Sequence, residues 1–127
     1  MPTALVIEDT PDNMRLITFI LNKYGIATIG AESGQIGIEL ATNAMPDFII
    51  LDIQLPDMDG TEVLRAIRRE ERDSNVPIIA MTSYAMSGDR EKLLAAGCTG
   101  YIEKPIDPMM VMDEIRSILI EAKAQKC

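Results

Sequence analysis

Phe48-Ile49-Ile50-Leu51-Asp52 is an unbroken apolar run closed by a single acid. Short continuous apolarity of this kind reads as a strand buried on both faces, because a strand with one wet face would alternate polar and apolar residues. Four further runs flank it: Ala4 to Ile7, Ile26 to Ile29, Val76 to Met81, and Tyr101 to Ile102. The segments between them carry helical spacing instead, as in Ile17, Leu21 and Tyr24, then Val63, Leu64 and Ile67, then Met112, Ile115 and Leu119. These read as amphipathic crossover helices. Strand and helix alternating in this way along the whole chain predict an α/β fold with a parallel sheet covered by helices on both faces.

Helix boundaries are written in capping chemistry. Thr10-Pro11 and Asp107-Pro108 each put a capping side chain before a proline at the first helical position. Asp59 with Glu62 makes a similar start for the third helix, and Gly25 and Gly97 stand where helices can end in a left-handed residue. A chain of 127 residues suits one domain over residues 1–127, and 47% hydrophobic with 25% charged residues suits a packed core, not extensive disorder. Twelve basic against 20 acidic residues give a formal charge of −8, which repels phosphodiester backbones and anionic lipid. Direct nucleic-acid or membrane binding is not expected. Only Cys98 and Cys127 are available for disulfide or thiolate-metal chemistry, no basic leader opens the chain, and no apolar stretch reaches the ~20 residues that cross a bilayer. The expectation is a cytoplasmic protein.

In a doubly wound sheet, ligands bind beyond the carboxyl ends of the strands. The notable polar residues sit there: Glu8-Asp9 after the first strand, Asp52 after the third, Thr82-Ser83 after the fourth, and Lys104-Pro105 after the fifth. Clustered carboxylates repel one another, and a divalent cation relieves the repulsion. An oxygen-rich acidic set with open positions suits Mg²⁺, which keeps waters and accepts phosphate as a further ligand. Lys104 then offers a point charge to phosphate oxygens. A carboxylate nucleophile, a hydroxyl, a lysine and a metal make a phosphoryl-transfer site, with Asp52 as the nucleophile, held rigidly by a buried strand at the centre of the sheet edge. The chain has no histidine, so a phosphohistidine donor must be a partner.

Glu8-Asp9, the stretch Leu51-Asp52-Ile53-Gln54-Leu55-Pro56-Asp57-Met58-Asp59-Gly60, Thr82 and Lys104-Pro105 together resemble response-regulator receiver domains across almost the whole chain. Ala85-Met86-Ser87-Gly88-Asp89 and Ala96-Gly97-Cys98 are most similar to stand-alone receivers of the DivK sort and to receivers of hybrid histidine kinases. The resemblance implies a flavodoxin-like, five-stranded sheet of order 2-1-3-4-5 with five helices. It implies that Asp9, Asp52 and the Gln54 backbone carbonyl hold Mg²⁺, with Glu8 assisting through water. Asp52 would accept phosphate from a histidine kinase or histidine phosphotransfer protein. Thr82 and Lys104 would bind phosphoryl oxygens, Thr82 and Tyr101 would form the switch, and Lys104–Pro105 would be cis. Gln54 and Tyr84 would tune the lifetime of the phosphoryl group. An effector protein would read the face of the fourth helix, fifth strand and fifth helix, where Arg90, Tyr101, Pro105 and Asp107 lie. The chain would be a switch with self-catalysed phosphorylation and dephosphorylation only, acting by binding a partner or by passing the phosphoryl group onward.

Rival readings rest on fewer residues. Asp57-Met58-Asp59-Gly60-Thr61 matches the Asp-x-Asp-Gly-Thr element of haloacid-dehalogenase-type phosphatases, but Leu55 and Pro56 separate it from the strand-ending Asp52. An EF-hand would put Ala66 where a bidentate glutamate belongs. A flavodoxin-like FMN module would set the phosphate against Glu8-Asp9-Thr10-Pro11-Asp12, whose charge repels it. The mixed-charge run from Arg68 through Asp73 reads as a solvated helix end, and Met112, among Met109, Met110 and Met112, reads as core.

Overall fold

Successive side chains of a strand point to opposite faces, so each buried strand feeds two cores at once. The computed structural model describes residues 2–70, 76–83 and 87–125. Strands β1 (Thr3–Ile7), β2 (Ala27–Ala31), β3 (Phe48–Asp52), β4 (Ile78–Thr82) and β5 (Gly100–Glu103) form one parallel sheet of order β2-β1-β3-β4-β5. Val6, Ile50, Met81 and Ile102 enter one core with Ile17 and Leu21 of α1 (Pro11–Lys23) and Met112 and Ile115 of α5 (Val111–Gln125). Ile7, Leu51 and Ala80 enter the other, against Ala41 of α2 (Gly34–Ala44), Val63, Leu64 and Ile67 of α3 (Gly60–Glu70), and Leu93 of α4 (Ser87–Ala96). The sheet is therefore doubly wound, with β1, β3 and β4 in its buried middle and β2 and β5 more exposed at its edges.

Strand limits shift from the apolar runs for local reasons. Ile26 is buried, but its N–H donates to the Leu21 carbonyl at 3.0 Å while Gly25, at φ +80°, donates to Asn22. That pair closes α1, so β2 starts one residue later. Gly97, at φ +114°, closes α4 in the same way. Val76 and Pro77 precede β4, and proline has no N–H for the ladder, although its carbonyl accepts from Ile49 at 2.9 Å.

Several expectations need correction. Thr10 does not cap α1 with its hydroxyl; the start rests on Pro11 and on the Thr10 carbonyl, which accepts from Met14 at 3.0 Å. Asp107 caps a turn that precedes α5, accepting from the Met109 N–H at 3.0 Å, and the helix begins at Val111. Asp59 does cap α3, with its carboxylate accepting from the Thr61 N–H at 2.9 Å. Tyr24 lies outside the apolar stripe: its ring is half exposed and stacks under the Arg116 guanidinium, 4.7 Å away.

Arg68 is not a solvated helix end either, while Glu71–Asp73 of that run lie outside the described residues. The half-buried guanidinium donates through Nε and Nη2 to the Gly97 carbonyl at 2.9 and 2.7 Å, and through Nη1 to the Val76 carbonyl at 2.7 Å. It joins α3 to the end of α4 and to the approach to β4, where a cation also complements the helix dipole. Among the described residues no helix is long and apolar enough to cross a membrane. Arg68→Ala should lower unfolding free energy by about 2–3 kcal/mol, because it strands acceptors of a charged donor. Arg68→Lys should recover only part, since an ammonium cannot reproduce the fork. Urea unfolding checks this, and a wild-type midpoint for Arg68→Ala would contradict it.

Candidate functional site

The register brings the chemistry together. Ile7 stands opposite Leu51, so the next residues, Glu8 and Asp52, leave adjacent strands side by side. Asp52 stands opposite Met81 and Thr82 opposite Glu103, which puts Lys104 one residue beyond the edge. Backbone bonds carry the ladder past the strand ends, from Glu8 N to Ala31 O at 2.9 Å, Ile53 N to Met81 O at 3.0 Å, and Lys104 N to Thr82 O at 2.8 Å. Oxygens of Glu8, Asp9 and Asp52 consequently lie within 4.8 Å of one another. Lys104 Nζ is 2.9 Å from Asp52 Oδ1 and 3.9 Å from Glu8 Oε2. The Gln54 N–H donates to the same Asp52 oxygen at 2.9 Å.

Burial sharpens the electrostatics. Glu8 is 1%, Asp52 2% and Thr82 1% exposed, whereas Asp9 is half-buried and open to solvent. Three acids facing one ammonium leave surplus negative charge in a poorly solvated place. Burial, and then the adjoining Asp52 carboxylate, push the Glu8 carboxyl up to about 7, against the opposing pull of the Thr10 N–H and Lys104. Glu8 Oε1 accepts from that N–H at 3.2 Å, while Oε2 is buried without a hydrogen-bond partner. An orphaned buried oxygen beside two more carboxylates is a donor set that fits a small hard cation such as Mg²⁺.

Other expected residues fall around this cluster. Gln54 is exposed at the start of the loop after β3 and forms an isolated bridge with Asp59. Tyr101 is half-buried and packs against the α3/α4 core, as Ala80, its partner on β4, does. Alternation puts Thr82 on that same face, with Asp52 on the opposite one. The Lys104–Pro105 peptide is cis. Tyr84 lies outside the described residues, as do Ala85, Met86 and Cys127, and the Arg90 side chain is likewise not described. Asp57 stands away from the cluster with its carboxylate on α2, accepting from Gly34 N and Gln35 N, which leaves the Asp-x-Asp-Gly-Thr element without a nucleophile at a strand end. Burial pushes the Cys98 thiol up to about 11, removing it as a nucleophile.

Two clefts flank the site, one reaching the acids and one reaching Lys104. One runs along α1 past Asp9, Pro11, Met14, Arg15 and Phe19, and the other is lined by Asn13, Leu16, Ser83, Lys104, Pro105 and Ile106. Phe19 is 67% exposed there. Helical spacing finds the buried stripe of α1 and is silent on its outer face, so the sequence reading missed these walls.

Comparison with known proteins agrees with this geometry. Residues 4–116 match the family model described as the response regulator receiver domain. The polar-differentiation response regulator DivK of Brucella ovis is 37% identical over 120 residues, covering 94% of this chain and 98% of that protein. A CheY-like receiver domain protein from Methanospirillum hungatei superposes with a TM-score of 0.88 at 26% identity, covering 98% of both chains. The receiver domain of a sensor histidine kinase from Pseudomonas aeruginosa, whose structure has a magnesium ion coordinated in the active-site cleft, is 33% identical with a TM-score of 0.82, covering 91% of this chain and 95% of that one.

The raised Glu8 carboxyl has a defined sign in stability. Its unfolded value is 4.5 and its folded value about 7, so the folded state holds the proton more tightly. Its contribution is fully present below the unfolded value and is lost as pH rises through the folded one. In chelator, Glu8→Gln should therefore melt several degrees above wild type at about pH 8, with the gap closing toward about pH 5. Parallel melting curves for the two proteins across that range would contradict it.

Proposed function

This chain belongs to the response regulator receiver family, the phosphoacceptor domains of two-component signalling, and from that we propose that Asp52 takes the phosphoryl group in a Mg²⁺-dependent reaction. The observation that carries the reading is Asp52 itself: a 2% exposed carboxylate whose Oδ1 is held by Lys104 and the Gln54 N–H, with Glu8 and Asp9 oxygens within 4.8 Å. Asp9, Asp52 and the Gln54 carbonyl would be the protein ligands of Mg²⁺, with Glu8 assisting through water. When bound, the cation neutralises charge on the carboxylates and the transferring phosphoryl oxygens. The magnesium ion in the similar Pseudomonas aeruginosa receiver supports this ligand class.

In the transfer, an Asp52 carboxylate oxygen attacks phosphorus as the bond to the donor imidazole nitrogen breaks. The bonding pair stays on that nitrogen, and a proton already carried by the donor ring's other nitrogen leaves the ring a neutral imidazole. Lys104 then exchanges its contact with Asp52 for one with a phosphoryl oxygen, and the Thr82 hydroxyl donates to another. Movement of Thr82 makes room for Tyr101 to turn inward on the face that the two residues share, changing the surface of α4, β5 and α5 around Arg90, Tyr101, Pro105 and Asp107. Gln54 and Tyr84, two residues beyond Asp52 and Thr82, tune how long the acyl phosphate survives.

A receiver interacts in general with kinases and downstream effectors. Here the donor would be a histidine kinase or a histidine phosphotransfer protein and the reader an effector protein, in the cytoplasm. Residues 1–127 act as a single receiver domain and a switch, without turnover of an external substrate. Incubation with acetyl phosphate and Mg²⁺ should add one phosphoryl group to the wild-type chain and none to Asp52→Asn. Thr82→Ala should keep the adduct, since it removes the sensing hydroxyl and leaves the nucleophile. Intact-mass spectrometry reads both, and an undiminished acid-stable, base-labile adduct on Asp52→Asn would sink the assignment.

A further inference from the structure

The loop between β3 and α3 carries Gln54, and its conformation is held from outside. Asp57 Oδ1 accepts from Gly34 N at 2.9 Å and Oδ2 from Gln35 N at 3.2 Å, so one carboxylate spans the first two N–H groups of α2. Ser33 Oγ takes the third, from Ile36 at 3.3 Å. The first turn of α2 has no acidic residue of its own, so the charge that complements its dipole is Asp57. The contact is close because position 34 is glycine: a Cβ there would lie 3.2 Å from Met58 Sδ and 2.9 Å from Val63 Cγ2. The far end of the loop is fixed separately. Gly60 N donates to Ile53 O at 3.1 Å, Gln54 bridges to Asp59, and a Cβ on Gly60 would lie 2.5 Å from Ile53 Cα.

We propose that Asp57 is a positioning residue for the metal site: its clamp on α2 fixes the loop that presents the Gln54 carbonyl, and thereby sets the affinity for Mg²⁺. The inference rests on Gln54 being a ligand, as argued above. Only Leu55 and Pro56 separate Gln54 from the anchoring carboxylate of Asp57, so releasing Asp57 leaves the Gln54 carbonyl held from the Asp59 side only and looser, while Asp9 and Asp52 stay on the sheet. Coupling of this kind is reciprocal, so Mg²⁺ also protects the first turn of α2.

Calorimetric titration of the full chain with Mg²⁺, with amide exchange at Gly34 and Gln35, tests this. Asp57→Ala should weaken Mg²⁺ by up to about tenfold, the low end for an outer contact because Asp57 holds the loop and not the ligand itself, and speed exchange at both amides. Asp57→Asn keeps an acceptor for α2 but loses the charge, and should restore affinity to within about twofold of wild type. Ser33→Ala removes a cap from the same helix end without touching the loop, and should lower stability while leaving Mg²⁺ affinity unchanged. Wild-type affinity in Asp57→Ala would overturn the proposal, as would equal losses in Asn and Ala variants, which charge alone explains, or an equal loss in Ser33→Ala, which helix fraying explains. Failure of wild type itself to bind Mg²⁺ would overturn the ligand assignment beneath it, a distinguishable result.

Discussion

An ammonium 2.9 Å from a carboxylate that is only 2% exposed lets three acids share the end of an apolar sheet. Without Lys104, Asp52 would face Glu8 and Asp9 in a place that water scarcely reaches, and the usual escape is protonation. The strain is visible at Glu8, whose carboxyl is pushed up to about 7 by burial and by the neighbouring Asp52. The lysine's position is a matter of register. Lys104 follows a strand whose Glu103 pairs with Thr82, and Thr82 follows Met81, which pairs with Asp52. A slip of one residue would turn each side chain to the other face and separate the charges.

The same alternation divides the site's residues between the two faces. Asp52 shares a face with Phe48 and Ile50, toward α1 and α5, while Thr82 and Tyr101 share the opposite one, toward α3 and α4. On the proposed roles, chemistry and readout would meet at one sheet edge and still address different helices. Arg68 adds a constraint on the α3/α4 face, because it ties the carboxyl end of α4 to α3 through the Gly97 carbonyl. On the β3–α3 side, Asp57 ties the loop to α2. Both are exposed or half-exposed charges that act as joints between helices.

What could be read from the chain followed from local rules. Continuous apolar runs exposed the strands, and Glu8 and Asp52 stood out because each directly follows such a run, with Lys104 two residues beyond the last one. Gly25 and Gly97 announced helix ends since a left-handed residue needs no tertiary partner. The rest depends on neighbours remote in sequence. Arg68 reads as one of several surface charges until Gly97, 29 residues away, accepts its hydrogen bonds. Tyr24 fits a helical stripe, yet α1 ends there and the ring meets Arg116 instead. Asp57 looks like a motif acid until Gly34 and Gln35 are found against it. The raised Glu8 carboxyl was equally hidden, because burial and the proximity of Asp52 exist only after the strands pair.

The central claim is that the acyl phosphate forms on Asp52 and nowhere else. Borohydride reduces an acyl phosphate to an alcohol and leaves free carboxylates untouched, so it marks the acceptor in the unmutated chain. After incubation with a small phosphodonor and Mg²⁺, peptide mapping should find reduction at position 52 alone, and chelation of the cation should suppress it. Reduction at Asp9, Asp57 or Asp59, or undiminished reduction at position 52 in chelator, would contradict the account.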